Sequence, residues 1–237
     1  MPDLIANYNK DITIELEGVS KHLDTNYFFT REGGLFRAEE YFLVDGPYHY
    51  YLDLYAVGCT TPDFFIEYGC DLDDKGCLHH DIVEELLSLG MVDDEQTQKV
   101  GRVAYKNFKF EDQGGSFCAI QIKSAVIDPD YRGAGLARNI YKTLVLKHEH
   151  IVCDNTQSIS GGSLWASSIH SIGEVRIYDT NTQKFVDVLG FNGVGVSGIV
   201  PWSCQHLNID QITDWGRAFS HDPCHHIVNI LSKKNLY

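Results

Sequence analysis

Apolar and polar positions change their spacing several times along the chain, and each change marks an element. Residues 48–57, YHYYLDLYAV, are aromatic and partly alternating, and DFFIEY at 63–68 repeats that texture beyond the turn residues GCTTP. Alternation places successive side chains on opposite faces of an extended chain, so the two runs predict a β-hairpin. The spacing then lengthens. In HDIVEELLSLG (80–90), Ile82, Val83, Leu86 and Leu87 fall on one helical face and Gly90 is a stop signal. GRVAYKNFKF (101–110), the turn residues EDQGG and SFCAIQIKSAVID (116–128) predict a second hairpin.

Beyond it, LARNIYKTLVLK (136–147) sets Leu136, Ile140, Leu144 and Lys147 along one side of a helix. HIVCD (150–154) predicts a short strand, GGSLWASSI (161–169) a short helix, and VRIYD (175–179) and KFVDVLGF (184–191) two further strands. Hairpins interleaved with helices predict an α/β domain with a mixed sheet.

Composition narrows the partners more than the fold. At 237 residues, 43% of them hydrophobic and 12% aromatic, the chain can bury a sizeable core and does not require two domains. It shows no internal repeat, low-complexity tract or Pro/Ser-rich linker. A formal net charge of −14 repels phosphate backbones and favours amines, polyamines or basic peptides. No apolar stretch is long enough to span a bilayer, and MPDLIANYNKD lacks the basic-then-apolar layout of a signal peptide. Seven cysteines without framework spacing are expected to be reduced thiols of a cytoplasmic protein.

The stretch that carries chemistry is VIDPDYRGAGLARNI (126–140). A strand that leaves through Asp-Pro-Asp and enters a helix through RGAGLA exposes main-chain N–H groups. Gly133 and Gly135 allow positive φ and close approach of a ligand. The first-turn amides and the helix dipole then attract an anion, and Arg132 and Arg138 add positive charge. A pyrophosphate suits such a corner. The P-loop pattern fails, because Leu136 and Ala137 stand where Lys and Ser or Thr are needed, and the dinucleotide fingerprint lacks its third glycine. The bland alternative is a Gly-rich connector that holds nothing.

What remains, Arg132-x-x-Gly135-x-Ala137 after a strand, resembles the acyl-CoA signature of the GNAT superfamily of N-acetyltransferases, and VIDPDYRG resembles that family's lead-in. The resemblance covers roughly residues 100–192 and is specific at 126–140. It implies a single GNAT-like domain over 1–237, with a mixed, mostly antiparallel sheet flanked by helices. In that domain 1–100 would form the acceptor-side half, 101–192 the acyl-CoA-binding core, and 193–237 a C-terminal extension that caps the sheet or makes a homodimer contact. The cofactor implied is acetyl-CoA or another acyl-CoA, with no metal. Amides of Arg132, Gly133, Ala134, Gly135, Leu136 and Ala137 would hold its pyrophosphate, with Arg138 adding charge. Ala125, Val126 and Ile127 would offer a strand edge to the pantetheine, as in peptide β-augmentation. An N–H near Val126 or Ile127 would face the thioester oxyanion.

The same resemblance implies an Asn-x-x-Ala-x-x-Leu-Tyr helix whose Tyr protonates the departing thiolate. Here the matching stretch runs from Ser158 to Leu164-Trp165, and an indole N–H cannot serve as that acid. Trp165 is therefore expected to pack, and Tyr178, Ser163 or water to supply the proton. The strand before the turn carries Gln121 and Lys123 on its polar face in place of a carboxylate. Asp128 and Asp154 stand at strand ends and His150 opens a strand, and Asp154 is the foremost candidate base. Each also has a plain reading as a turn, cap or surface residue.

Other signals carry less. GVGVSG (193–198) fits Gly-x-Gly-x-x-Gly, but Ile199, Val200 and Pro201 start no helix behind it. GCLHHD (76–81) and HDPCHH (221–226) lack regular zinc-ligand spacing. DLDDKG (71–76) puts Lys75 at a calcium-ligand position and Ile82 where a Glu belongs. The expectation is an N-acyltransferase acting on an amine-bearing small molecule or a protein or peptide acceptor, with no membrane partner. DNTQSISGGSLW also looks like phage acyltransferase-like proteins, which keeps a nucleic-acid or nucleotide acceptor open. The alternative class is a GNAT-fold protein that binds CoA, or nothing, without catalysis.

Overall fold

A computed structural model describes residues 2–6, 18–222 and 226–237. In chain order the strands are β1 (Asp3–Ile5), β2 (Val19–Thr30), β3 (Gly34–Val44), β4 (Tyr50–Ala56), β5 (Gln98–Asp112), β6 (Gly115–Ile127), β7 (His150–Val152), β8 (Thr156–Ser158), β9 (Gly173–Asp179), β10 (Lys184–Val188) and β11 (Ile227–Leu236). The helices are α1 (Pro62–Asp74), α2 (His79–Ser88), α3 (Leu136–His148) and α4 (Ile159–Leu164). The result is an α/β fold with mostly antiparallel sheet flanked by helices. No helix among the described residues is long and apolar enough to cross a membrane.

Two compact units interleave in sequence. One comprises Met1–Asp11, Tyr105–Lys123 and Ile140–Tyr237, the other Ile12–Ala104 and Ser124–Asn139. In the second, β2 and β3 pair antiparallel along their whole length, from Val19↔Val44 to Thr30↔Gly34, and β4 pairs β3 from Phe36↔Ala56 to Phe42↔Tyr50. Helices α1 and α2 close a core of Phe29, Leu35, Phe65, Ile82, Val83 and Leu86 against these strands.

Helix α1 corrects the first predicted hairpin: DFFIEY is helical. Pro62 opens the helix and Asp63 lies in its first turn, two start signals that outweigh the alternating texture. Phe64 and Tyr68, four residues apart, stack at 5.8 Å, while Phe65 and Gly69 face inward. Gly69 sits so close to Phe29 that a Cβ there would come within 2.4 Å of its ring. The predicted helix over 80–90 and the predicted 101–128 hairpin appear as α2 and as β5–β6.

In the first unit the strand order is β10-β9-β11-β7-β6-β5. The parallel β6–β7 ladder is short, Ile120↔Ile151 and Gln121↔Val152. Strand β11 pairs antiparallel with β7 on one side and β9 on the other. The C-terminal residues, expected to cap the sheet or meet a second copy, therefore supply one of its interior strands. Their side chains are buried from Ile227 to Ser232, on both faces, which hides the alternation that marks a half-exposed strand. Helix α3 buries Ile140, Tyr141, Leu144 and Val145, and a π-helical turn over Trp165–Ile169 extends α4.

The glycine run 193–198 makes turns and starts no helix. It wraps an internal anion: the Asp187 carboxylate accepts the amides of Val188 at 2.8 Å, Ser197 at 3.0 Å and Ile199 at 3.3 Å. A Cβ on Gly195 would lie 2.0 Å from Asp187 Oδ2, so only glycine admits the carboxylate. Burial alone would push the Asp187 acid up, but the amides of Ser197, Val188 and Ile199 outweigh it and hold the group below the usual range. A depressed folded-state value adds stability above about pH 4, and that stability is lost as pH falls through the folded value. Asp187→Asn is expected to lower Tm at pH 7 by about 2–4 °C, roughly 1 kcal/mol for a chain of this length, and to lose less on further acidification. Thermal melts between pH 3 and 7 check this; an acid limb identical to the parent's rules the anchor out.

Candidate functional site

The turn after β6 lies in the second unit and is tied down at both ends. The Asp128 amide donates to Val100 O at 2.8 Å, and the Asp128 carboxylate accepts the Asp130 amide at 3.0 Å, closing a 3-10 turn over Pro129–Tyr131. Tyr131 packs edge-on against Phe36 at 6.1 Å. The Ala134 methyl is buried beside Gly33, where an added Cβ would come within 3.3 Å of it. Between these anchors Gly133 and Gly135 adopt φ of +91° and +73°. A Cβ on Gly133 would meet nothing within 4 Å, so the backbone there borders open space.

Some of the turn's amides are used internally. Arg132 donates to Pro129 O at 3.2 Å and Ala134 to Tyr131 O at 3.4 Å. Those of Gly133, Gly135, Leu136 and Ala137 reach no acceptor among the described residues, the last two because a helix's first turn has none to offer. Arg132 and Arg138 are exposed and form no ion pair among the described residues. Free donors, the positive end of a 13-residue helix and two unmatched guanidiniums make this corner receptive to a polyanion.

The strand leading in has a free side as well. Its ladder with β7 ends at Gln121, yet β6 continues to Ile127. Amides alternate in direction along a strand. Because Asp128 N–H reaches Val100 on β5, that of Val126 shares its side, and those of Ala125 and Ile127 point the other way. Ala125 is exposed, and Val126 and Ile127 are half-buried.

The remaining candidates lie in the first unit. Asp154, 8% exposed, is ion-paired with Lys123 and accepts the Asn155 amide at 2.8 Å. Gln121 Nε2 donates to Cys153 O at 3.0 Å and to Asn155 Oδ1 at 2.9 Å, fixing the same corner. The two polar residues found in place of a strand carboxylate are thus the ones that position Asp154. Tyr178 is 1% exposed, packed by Phe110 and Phe185, and its hydroxyl accepts the Glu111 amide at 3.1 Å. Ser163 Oγ accepts from Arg217 Nη1 at 3.3 Å. His150 is bonded to Ser232 and lies apart from the Lys123–Asp154 pair in its hydrogen bonding.

Trp165 is 2% exposed and packs edge-on against Tyr141 at 5.7 Å, in keeping with its expected packing role. Sequence reasoning passed over Tyr141, whose side chain lies near Cys153 and Asp154. Burial first, and then their charges, push its pKa up, so it stays a protonated phenol. The signal was its place beside Ile140 on the apolar face of α3. Burial likewise pushes the Cys153 thiol up to about 12, leaving it inert as a nucleophile.

On the second unit's aromatic face, Tyr41 stacks on Tyr51 at 4.9 Å and its hydroxyl donates to Glu39 at 2.6 Å. Asp53, 5% exposed, takes Lys99 at 2.7 Å and Arg102 at 2.8 Å. The Arg102 guanidinium lies over the Tyr51 ring at 4.6 Å. Among the described residues no group of three or more His, Cys, Asp or Glu is placed to hold a metal ion, and residues 223–225 of HDPCHH lie outside them.

No protein-family profile matches the chain, and no curated protein matches it in sequence. Among solved structures it is similar to the GNAT family N-acetyltransferase YhbS from Escherichia coli in complex with CoA, at 20% identity and a TM-score of 0.21. The match covers 43% of this chain and 62% of that one, so the chain spans less than two thirds of that neighbour.

Proposed function

We propose that the chain is an acyl-CoA-dependent N-acyltransferase that passes an acetyl or similar group directly to an amine. The observation that carries this reading is the corner after β6. Amides of Gly133, Gly135, Leu136 and Ala137 have no internal acceptor among the described residues, and a Cβ on Gly133 would meet nothing within 4 Å, inside an Arg-x-x-Gly-x-Ala motif. A doubly charged pyrophosphate satisfies those donors, and Arg132 and Arg138 close on it. The free amides of Ala125 and Ile127 take the pantetheine carbonyls or the thioester oxygen, where an N–H stabilises the charge of the tetrahedral transition state.

Transfer needs an uncharged amine. The attacking nitrogen loses a proton to a base, adds to the thioester carbon, and expels the CoA sulfur, which takes up a proton. Asp154 is the carboxylate we assign as base, with Lys123 as its positioning partner. Tyr141 joins Tyr178 and Ser163 as a proton donor, favoured by its unionised phenol beside Asp154. Direct attack in a ternary complex fits the inert Cys153, which removes the most buried thiol as a covalent carrier. The acidic surface suits a basic acceptor, either a small amine or an amino group on a peptide.

A non-catalytic CoA-binding role is the second reading, favoured by Trp165 at the position where the resemblance expects the acid. Two measurements separate the cases. Acetyl-CoA at a hundredfold excess over Kd is expected to raise Tm by about 5–10 °C, and Gly133→Val, which fills the open space, is expected to abolish the shift. An unchanged shift in that variant, or none in the parent, overturns the binding site. Thiol release with a panel of amines then decides catalysis. Asp154→Asn is expected to slow it about 100-fold or more while the acetyl-CoA shift persists. Release at the parental rate removes Asp154 as base, and a shift with no release from any amine favours the binding role.

A further inference from the structure

The loop that wraps Asp187 holds a reactive dipeptide, Asn192-Gly193, and lies wholly in the first unit. Asn192 alone among the chain's asparagines precedes a glycine. The fold favours both residues. Gly193 adopts a φ of +76°, and a Cβ there would come within 2.6 Å of the Arg217 side chain. Asn192 is exposed, and its Oδ1 accepts the Val194 amide at 3.1 Å, as in an Asx turn. That bond folds the carboxamide back toward the Gly193 peptide, whose nitrogen no neighbouring Cβ shields.

Asparagine amides are chemically labile, and such a pair reacts with itself. Once the Gly193 amide loses its proton to hydroxide, its nitrogen attacks Asn192 Cγ and a new C–N bond forms. The Cγ–Nδ2 bond breaks, and Nδ2 leaves as ammonia with a proton taken from water. Water then opens either C–N bond of the five-membered imide. One opening leaves aspartate, the other an isoaspartate whose main chain is longer by one carbon.

The folded loop resists this chemistry. The Gly193 amide donates to Gly190 O at 2.9 Å, so its proton is held and must be released before attack. Gly190 N–H closes the turn onto Val194 O at 2.8 Å, and Trp202 Nε1 donates to Gly193 O at 2.6 Å from a fully buried ring. Ring closure requires the peptide to rotate against these bonds. Farther along, the Asp187 carboxylate grips the amides of Ser197 and Ile199. Reaction therefore follows local opening of the loop, not the exposure of Asn192 alone.

We propose that Asn192-Gly193 is a self-modification site kept latent by this loop, and that loosening the loop releases its conversion to aspartate and isoaspartate. The inference does not rest on the acyl-CoA reading.

Incubation of the full chain in mildly alkaline buffer, followed by peptide mapping and enzymatic isoaspartate labelling, tests this. The urea-unfolded chain is expected to convert at Asn192 before any other asparagine, and the folded chain roughly tenfold more slowly or slower still. Asp187→Ser and Trp202→Phe, each removing one hold on the loop, are expected to raise the folded rate about tenfold, the second covering a folding failure of the first. Asn192→Ser is expected to abolish labelling of the loop peptide. Equal rates in the folded and unfolded chains, a parental rate in every folded variant, first conversion at another asparagine, or loop labelling that survives Asn192→Ser each overturns the proposal.

Discussion

The first unit depends on the hydrogen bonds of β11. Strand β7 is only three residues long, and its parallel ladder with β6 gives two residue pairs, too little to hold a strand against fraying. The other edge of β7 is paired to β11 through Ile230↔Val152, Leu231↔Ile151 and Ser232↔His150. Just beyond, the Cys153 amide donates to Asn229 O at 2.9 Å and the Asn229 amide reaches Cys153 Sγ at 3.1 Å. Asp154 follows directly. The corner assigned to proton transfer is thus held by residues about 75 positions away in sequence. Removing the last strand would unmake that corner without touching any of its own side chains.

Two glycine-rich runs in this chain show the same physics with opposite outcomes. In both, glycine lets main-chain N–H groups converge on negative charge. Around 193–198 the protein supplies the charge itself, and Asp187 occupies the space a side chain on Gly195 would need. Around 132–137 the Asp128 carboxylate caps the turn behind it, and a Cβ on Gly133 would meet nothing within 4 Å. A nest already filled by its own carboxylate is architecture. One left open beside two unmatched arginines is the form expected of a site whose anion arrives from outside.

What the sequence disclosed follows from how local each cause is. The β5–β6 hairpin, α2, α3 and the turn between β6 and α3 are set by residues within a dozen positions, so periodicity and glycine placement were enough. Helix α1 departs from its predicted strand because Pro62 and Asp63 outweigh the aromatic alternation. Strand β2 gave no alternating signal, being exposed over its first five residues, and β11 gave none because it is buried on both faces. At the site, the backbone donors were legible because glycine spacing encodes backbone shape. The Lys123–Asp154 pair and the packing of Tyr141 on Trp165 were not, since each depends on a meeting fixed only by strand order and helix docking.

Positive charge is scarce here, so where it is spent carries information. Lys99 and Arg102 neutralise the buried Asp53, Lys123 neutralises Asp154, and Arg31 bridges Asp73 and Asp74. Removing Arg102 or Lys123 strands a buried carboxylate without solvent, so those bases are committed to the fold, whereas the Arg31 pairs are exposed. Arg132 and Arg138, and separately Arg176 and Lys234, carry no such commitment among the described residues, though acids outnumber bases across the chain. Arg132 and Arg138 are exposed, and a Cβ on Gly133, which lies between them in sequence, would meet nothing within 4 Å. A guanidinium with no carboxylate partner keeps its donors for an anion, and under the proposed reading the amides after β6 that lack an internal acceptor make that anion a pyrophosphate.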